Sequence, residues 1–349
     1  MNRREFLTLG AATVAAGCMT KRGETAPAAF GATEDEVAAF WKAVDFLERT
    51  KPADYEARQD ALKAAQKMIY AMCPASDRRD MPDNVYKRFV KGGAKMPADE
   101  VAAIRAEHPA LAWYDREFDR VLAEVKSTTV APGDDPAVWY VYNMGVIVKT
   151  AKLTFSIDLC HRKAAEAVPL LDFALVTHNH GDHFTDEFLL AMTRGKKKVI
   201  SNFFLCWNGY CRELEKTLKF GDVTVRCTAT DHGGTLPFAV TCFEIEVDCG
   251  ADKAPYVIFH TGDSSSPRQL KCVAQAPDLM ISHCAIGFSY PEAWKRVKPR
   301  RFVIAHHQEL GHLWSRWRCV GFHEEPADIM AHMPKDANML MPVWGDRLV

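Results

Sequence analysis

The sequence has almost no net charge, no internal repeat and no low-complexity segment. Its 44 Lys and Arg side chains nearly cancel its 45 Asp and Glu side chains, which leaves a formal net charge of −1. A nucleic-acid-binding protein normally carries a clustered excess of basic residues, so we expect no nucleic-acid partner. Hydrophobic residues make up 48% of the 349 positions, which is enough for a globular protein with a substantial core.

The chain also lacks the close CxxC spacing of a structural zinc site, although it contains 11 cysteines. Several of them lie in apolar, strand-like runs, where buried free thiols are common. Disulfides are the alternative, for example between Cys206 and Cys211 or between Cys242 and Cys249, and the sequence does not assign them. The odd count becomes even if Cys18 carries a lipid.

The first 18 residues differ from the rest of the chain. Paired arginines precede a weakly apolar stretch, residues 8–16, which is too short to span a bilayer and ends in Gly17-Cys18. This pattern predicts a cleaved export signal over residues 1–18, similar to a twin-arginine signal, with a lipoprotein-like cleavage box at Cys18. We therefore expect an exported protein, periplasmic or anchored to the membrane by a lipid at Cys18. The alternative is an ordinary amphipathic helix.

Periodicity divides the remaining chain into two parts. A polar linker over residues 19–32 leads to a capping box at Thr33-Glu34-Asp35-Glu36, and helical spacing then predicts a helical N-terminal appendage over residues 33–129. Residues 130–349 alternate β-rich runs with helical segments such as Asp186 to Thr193 and Gln269 to Gln275. Such interleaving predicts an α/β fold, and we assign residues 130–349 to the catalytic domain.

One segment carries most of the chemical information. The apolar run that ends at Thr177 predicts a buried strand, and four side chains that could bind metal follow it within six residues: His178, His180, Asp182 and His183. Alternate spacing lets the first two imidazoles converge on one ion, while Asp182 and His183 can turn toward a second. Gly181 allows the tight backbone geometry that this arrangement needs.

The segment resembles the HxHxDH signature of the metallo-β-lactamase superfamily, and further residues match that family's ligand set in the same order. The resemblance implies an αββα sandwich over residues 130–349. It also implies that His232, Asp263 and His306 complete two metal sites, with Asp263 bridging both. Asp158, at the end of a predicted strand, matches an aspartate that orients a ligand without binding metal.

The resemblance implies a hydrolase with two divalent ions. Zinc is the simplest assignment, and manganese or iron also occupies such sites. A shared water with a lowered pKa would attack an ester, lactone, amide or phosphodiester, while Asp182 would bind the second ion and hold the proton of the attacking group. The match looks closest to the branch that contains ascorbate-phosphate lactonases and N-acylethanolamine-releasing phospholipases D, so we expect a small-molecule or lipid-like substrate.

Several alternatives stay open at this point. His307 competes with His306 as the last ligand, although strand parity places the two on opposite faces and the resemblance favours His306. His283 is a core histidine or a residue at the cleft mouth, and Trp314 and Arg316 either line the cleft or pack in a helix end. The function alternatives are a catalytically silent, lipid-anchored scaffold and a mono-iron oxygenase.

Overall fold

The computed structural model describes residues 32–72, 88–90, 95–204, 213–233, 236–250, 252–274, 276–283, 288–307, 309–310 and 324–349. The predicted export signal, nearly all of the predicted linker and the segment with Trp314 and Arg316 lie outside these residues. Residues 32–349 form one compact unit. Among the described helices, none is both long and apolar enough to cross a membrane.

Helices come first along the described chain. The first of them begins as predicted: the Thr33 hydroxyl accepts from the Glu36 backbone N–H at 3.2 Å, and the Glu36 carboxylate accepts from the Thr33 N–H at 3.0 Å. Its apolar stripe is buried through Phe40, Val44 and Leu47. The N-terminal helices are α1 (Glu34–Arg49), α2 (Tyr55–Met72), α3 (Ala98–Glu107) and α4 (Pro109–Ser127).

The remainder forms two sheets with further helices. The five-stranded sheet has the order β1-β2-β3-β4-β5 and consists of β1 (Ala137–Tyr142), β2 (Gly145–Lys149), β3 (Thr154–Ile157), β4 (Phe173–Leu175) and β5 (Lys198–Ile200). The first three strands pair antiparallel, and β3, β4 and β5 pair parallel. Strands β1, β3 and β4 are buried along their whole length, as the apolar runs predict.

The second sheet has seven strands in the order β12-β11-β10-β9-β8-β7-β6. They are β6 (Glu215–Phe220), β7 (Val223–His232), β8 (Leu236–Val247), β9 (Tyr256–His260), β10 (Leu279–His283), β11 (Phe302–Ala305) and β12 (Met339–Leu340). Helix α5 (Asp186–Arg194) lies between β4 and β5 of the first sheet, and α6 (Tyr290–Val297) and α7 (Glu324–His332) belong to the second half of the chain. Strands β6 to β9 are antiparallel and β9 to β12 are parallel. The predicted α/β fold, with two sheets, covering helices and helices at the N-terminus, is confirmed.

Two local expectations differ from the structure. The helix predicted from Gln269 to Gln275 is wrong, because the described part of this segment, up to residue 274, contains a 3-10 turn, Pro267–Gln269, and no α-helix. The Glu244 carboxylate accepts the backbone N–H groups of Val273 and Ala274, at 2.6 and 3.2 Å, so these groups do not enter a helical ladder. The disulfide alternative between Cys242 and Cys249 is also wrong, since all five described cysteines are free thiols: Cys160, Cys227, Cys242, Cys249 and Cys272. Cys206 and Cys211 lie outside the described residues.

The N-terminal helices pack directly on the C-terminal segment. Trp113 of α4 lies against Trp344, with ring centroids 4.6 Å apart. The buried Arg58 guanidinium of α2 binds the Asp346 carboxylate at 2.8 Å. These contacts join segments more than 200 residues apart in sequence; the division of the chain into domains stays a prediction.

Candidate metal centre

The ends of four strands deliver the seven predicted ligands to one place. The segment from His178 to His183 follows β4, His232 ends β7, Asp263 follows β9 and His306 follows β11. Their donor atoms form two groups, within each of which all donors lie within 4.8 Å of one another. One group is His178, His180, His232 and Asp263, and the other is Asp182, His183, Asp263 and His306.

Asp263 belongs to both groups through a single oxygen. Its Oδ2 lies 3.7 Å from His178 Nε2 and 3.6 Å from His232 Nε2 on one side. On the other side it lies 3.3 Å from His183 Nε2 and 3.4 Å from His306 Nε2. A carboxylate oxygen placed between two sets of imidazoles can bridge two cations, as the sequence prediction requires.

Asp182 completes the second group. Its Oδ2 lies 3.0 Å from His306 Nε2 and 3.4 Å from His183 Nε2. His306 adopts a left-handed backbone with φ 63°, a conformation that costs free energy in a residue with a side chain. His307 is buried with its ring near Tyr140 and belongs to neither ligand group, so the structure places His306 and not His307 in the cluster.

Two buried side chains fix which ring nitrogens face the cluster. The Thr177 hydroxyl donates to Asp158 Oδ2 at 2.8 Å, so it can only accept from His178 Nδ1 at 3.0 Å. Asp158 Oδ2 also accepts from His183 Nδ1 at 2.9 Å. His178 therefore carries its proton on Nδ1 and presents the Nε2 lone pair to the cluster, and His183 presents the same lone pair when its ring is neutral. Asp158 lies where the sequence predicts an orienting residue.

The electrostatics of the cluster favour cations. Asp158, Asp182 and Asp263 are carboxylates near or below a tenth exposed, and within the described residues no Lys or Arg pairs with any of them. Burial opposes ionisation of Asp182 and Asp263, but the His183 imidazolium and its neighbours outweigh burial and hold the pKa of both carboxyls well below the usual range. Buried carboxylates that stay ionised need positive charge beside them.

The pKa of His178 is shifted in the opposite direction from the pKa of His183 and His306. Burial and the nearby His183 charge lower the pKa of His178 well below 6.5, so its ring is neutral and able to bind metal. Burial also tends to lower the pKa of His183 and His306, but the Asp263 and Asp182 carboxylates raise it well above 6.5. The carboxylates thus demand positive charge at the second group, and a divalent cation meets the same demand.

Unpaired buried nitrogens give an independent test of fit. In the described part of the chain, Nε2 of His178 and Nε2 of His232 are buried and make no hydrogen bond. Leaving a buried polar atom unpaired costs about 1 to 3 kcal/mol, and a metal ligand is a common reason for such an atom. Donors of this type, imidazole nitrogens and carboxylate oxygens in two groups of four, suit zinc, manganese or iron.

His283, which is also near the site, behaves as a core residue. His283 is buried, its Nε2 contacts the Ser264 backbone oxygen at 2.6 Å, and its ring centroid lies 6.3 Å from that of His306. Burial lowers its pKa to about 4. It supports the loop after Asp263 and is not among the ligand groups.

Sequence reasoning did not predict a role at this site for Thr177, described above, or for Asn143. Asn143 is the more distant of the two along the chain from the ligand segment. It occupies the turn between β1 and β2, is fully buried, and its Nδ2 donates to Asp182 Oδ2 at 3.1 Å. The only signal was an asparagine before Met144-Gly145 between two apolar strands, which is typical of an ordinary turn.

Comparison with known proteins agrees with the chemistry of the site. No family model matches the chain. A UPF0173 metal-dependent hydrolase of Carboxydothermus hydrogenoformans is 26% identical over 174 residues, which are 43% of this chain and 76% of the relative. One of Heliobacterium modesticaldum is 27% identical over 160 residues, 39% of this chain and 65% of the relative. These relatives agree with the predicted enzyme class, a metal-dependent hydrolase.

Solved structures show more distant similarity. Igni18, a metallo hydrolase of Ignicoccus hospitalis, is 17% identical with a TM-score of 0.44, over 61% of this chain and 97% of that one. A Thermotoga maritima protein of the metallo-β-lactamase superfamily is 11% identical with a TM-score of 0.36, over 56% of this chain and 85% of that one. At these TM-scores the similarity gives no information about function.

Proposed function

We propose that this protein is a hydrolase of the metallo-β-lactamase type that uses two divalent cations, most simply zinc, to cleave an ester, lactone, amide or phosphodiester. The observation that carries the proposal is the single oxygen of Asp263 that lies within 3.7 Å of the Nε2 atoms of four histidines in two groups. The sequence similarity to metal-dependent hydrolases supports it.

The chain's own residues hold and orient the reacting groups. His178, His180 and His232 would hold one cation, Asp182, His183 and His306 the other, and Asp263 both. When bound, the cations lower the pKa of a water and polarise the bond that breaks. Asp182 presents Oδ2 to the second group, and we assign its other oxygen to accept the proton of the attacking water.

The substrate class is a small molecule or a lipid-like molecule, as the resemblance to the lactonase and phospholipase D branch implies. Iron and manganese are the alternatives to zinc, because imidazole and carboxylate ligands suit all three. We also propose export, with residues 1–18 as the signal and Cys18 as a lipid anchor. Fractionation of cells and mass analysis of the N-terminus test it: a mature protein that begins at modified Cys18 supports it, and an intact Met1 in the cytoplasm contradicts it.

A substrate panel tests the hydrolase proposal. Metal-loaded protein is assayed on lactones, phosphodiesters, N-acyl amides and β-lactams, beside the variants Asp182→Ala and Asp263→Ala. The control is Asp222→Asn, which changes a buried aspartate that accepts from Thr150 away from the cluster. We expect each alanine variant to lose on the order of 100-fold or more in rate, as is usual when a group acting on the transition state is removed, while the control keeps its rate.

Elemental analysis separates the competing functions. About two metals per chain supports hydrolysis, as a two-metal site requires. A single iron would favour the oxygenase, and no metal together with no metal-dependent activity on the panel would favour the scaffold.

A further inference from the structure

Asn143 connects two of the candidate ligands at once. It lies in the turn after β1 with φ 57°, in the left-handed region. Its backbone oxygen accepts from the His306 N–H at 2.9 Å and from the Tyr140 hydroxyl at 2.6 Å. The turn therefore fixes the backbone at the point where His306 leaves β11.

The side chain of Asn143 contacts the other ligand. Its Nδ2 lies 3.1 Å from Asp182 Oδ2 and 3.4 Å from the Asp182 backbone oxygen. Both of those atoms are acceptors, so only the NH₂ end of the amide can face them, and this fixes the orientation of the amide. The atom that receives the hydrogen bond is the same Oδ2 that lies 3.0 Å from His306 Nε2.

The residue type matches the position. Glycine, asparagine and aspartate are the residues that tolerate a left-handed backbone most readily. Of these, glycine has no donor, and aspartate would set a second carboxylate against Asp182. A lysine could donate, but its charge would replace the cation that the carboxylate is there to bind. Of the three residues that favour this backbone conformation, asparagine alone supplies a neutral donor.

We propose that Asn143 is a positioning residue that sets the cation affinity of the second group (Asp182, His183, Asp263 and His306) and leaves the first group (His178, His180, His232 and Asp263) unaffected. It holds the Asp182 ligand oxygen with its side chain and the His306 backbone with its carbonyl. The first group has no contact with Asn143 among the described hydrogen bonds. The proposal rests on the two-cation site proposed above.

The test is a Co²⁺ titration of the metal-free full-length chain, followed by the visible absorption of the bound ion. Asn143→Gly removes the amide and keeps the left-handed backbone. The matched control is Asn338→Gly: Asn338 is also left-handed, with φ 45°, its carbonyl accepts the Phe302 N–H, and its Nδ2 donates to the Arg300 oxygen at 3.0 Å. It lies outside both ligand groups.

We expect the unmodified chain and Asn338→Gly each to bind two Co²⁺, and the affinity for each ion to be the same in both proteins. Asn143→Gly should bind the first ion as tightly and the second about 10- to 100-fold more weakly, the usual effect of losing a hydrogen bond to a ligand. Equal affinity for the second ion in Asn143→Gly, or equal weakening of both ions, overturns the role of Asn143. An unmodified chain that binds fewer than two ions overturns the two-cation site instead.

A second variant covers the case in which Asn143→Gly does not fold, as judged by circular dichroism. Tyr140→Phe leaves the amide in place and removes the hydroxyl that donates to the Asn143 carbonyl. Its expected effect is a smaller loss, about two- to tenfold at the lower end of such ligand-support effects, confined to the second ion. Unchanged affinity for that ion in Tyr140→Phe counts against the proposal.

Discussion

Gly262 is a position beside the site where the structure leaves no room for a side chain. It precedes Asp263 and has φ 51°; a Cβ there would lie 2.8 Å from Thr177 Cβ and 2.8 Å from Val240 Cγ1. Neither contact is the far end of a flexible side chain. Gly262→Ala should therefore lower the free energy of unfolding by about 1 to 2 kcal/mol because of the left-handed backbone, and by about 1 to 3 kcal/mol more because of overpacking.

A second glycine separates the two contributions. Gly221 has nearly the same φ, 52°, but a Cβ there would meet only the Leu153 side chain, at 3.3 Å. Gly221→Ala should be destabilised by the backbone conformation alone. Gly262→Ala should therefore be less stable than Gly221→Ala by the cost of overpacking, about 1 to 3 kcal/mol. Urea unfolding of both metal-free variants measures the difference.

The same substitution should affect metal binding. Thr177, which the new methyl would push, holds Asp158 and His178, and Asp263 is the next residue in the chain. We expect Gly262→Ala to bind less than one tight metal per chain and Gly221→Ala to bind two. The reasoning would be refuted if the free energies of unfolding of Gly262→Ala and Gly221→Ala agreed within about 0.5 kcal/mol, the usual range for a harmless substitution, and both variants bound two metals.

Two further predictions concern buried hydrogen bonds and a buried histidine. Thr177→Val keeps the shape of the side chain but removes the acceptor of the His178 Nδ1 proton. In a Co²⁺ titration the cation affinity of the first group should therefore fall about 10- to 100-fold, while Thr177→Ser should keep the affinity of the unmodified chain. Unchanged affinity in Thr177→Val would contradict the assigned tautomer. His161 is stacked between Tyr114 and Phe118, and burial, with Lys163 and Arg162 nearby, lowers its pKa well below 6.5. Below pH 6.5 the unfolded chain therefore binds this proton and the folded chain does not. As the pH decreases, this group lowers the free energy of unfolding by up to about 1.4 kcal/mol per pH unit. Between pH 6.5 and 5 the free energy of unfolding should therefore decrease less steeply in His161→Phe than in the unmodified chain, by up to that amount per pH unit. Urea unfolding at several pH values measures both slopes, and equal slopes would contradict the prediction.

The candidate ligands could be predicted because the relevant information is local. Three histidines and an aspartate in six residues after an apolar run define a strand end, and strand ends at one edge of a sheet lie close together. The later ligands needed the family resemblance as well, since a single His232 or Asp263 is an ordinary turn residue when it stands alone. The structure places all seven predicted residues in the two groups.

What the sequence did not reveal depends on contacts between distant segments. Asn143 looks like a turn residue until β11 brings His306 to its carbonyl. The predicted helix after Gln269 fails because the carboxylate of Glu244, on β8, takes its backbone N–H groups. Periodicity within a segment contains no information about such partners.

The packing of the N-terminal helices is a second example. Their periodicity predicted helices and buried stripes but not the surface that buries them. That surface includes Trp344 against Trp113 and Asp346 against Arg58, more than 200 residues away. A cut between residues 129 and 130 would remove these contacts, so we expect residues 130–349 expressed alone to be much less stable than the whole chain.

The central claim is that two cations share the oxygen of Asp263, and anomalous diffraction from crystals of metal-loaded protein tests it most directly. Data collected at the absorption edge of the bound metal should show two peaks a few ångströms apart. One peak should lie among His178, His180 and His232, and the other beside Asp182 and His306. A single peak, or peaks away from Asp263, would contradict the account.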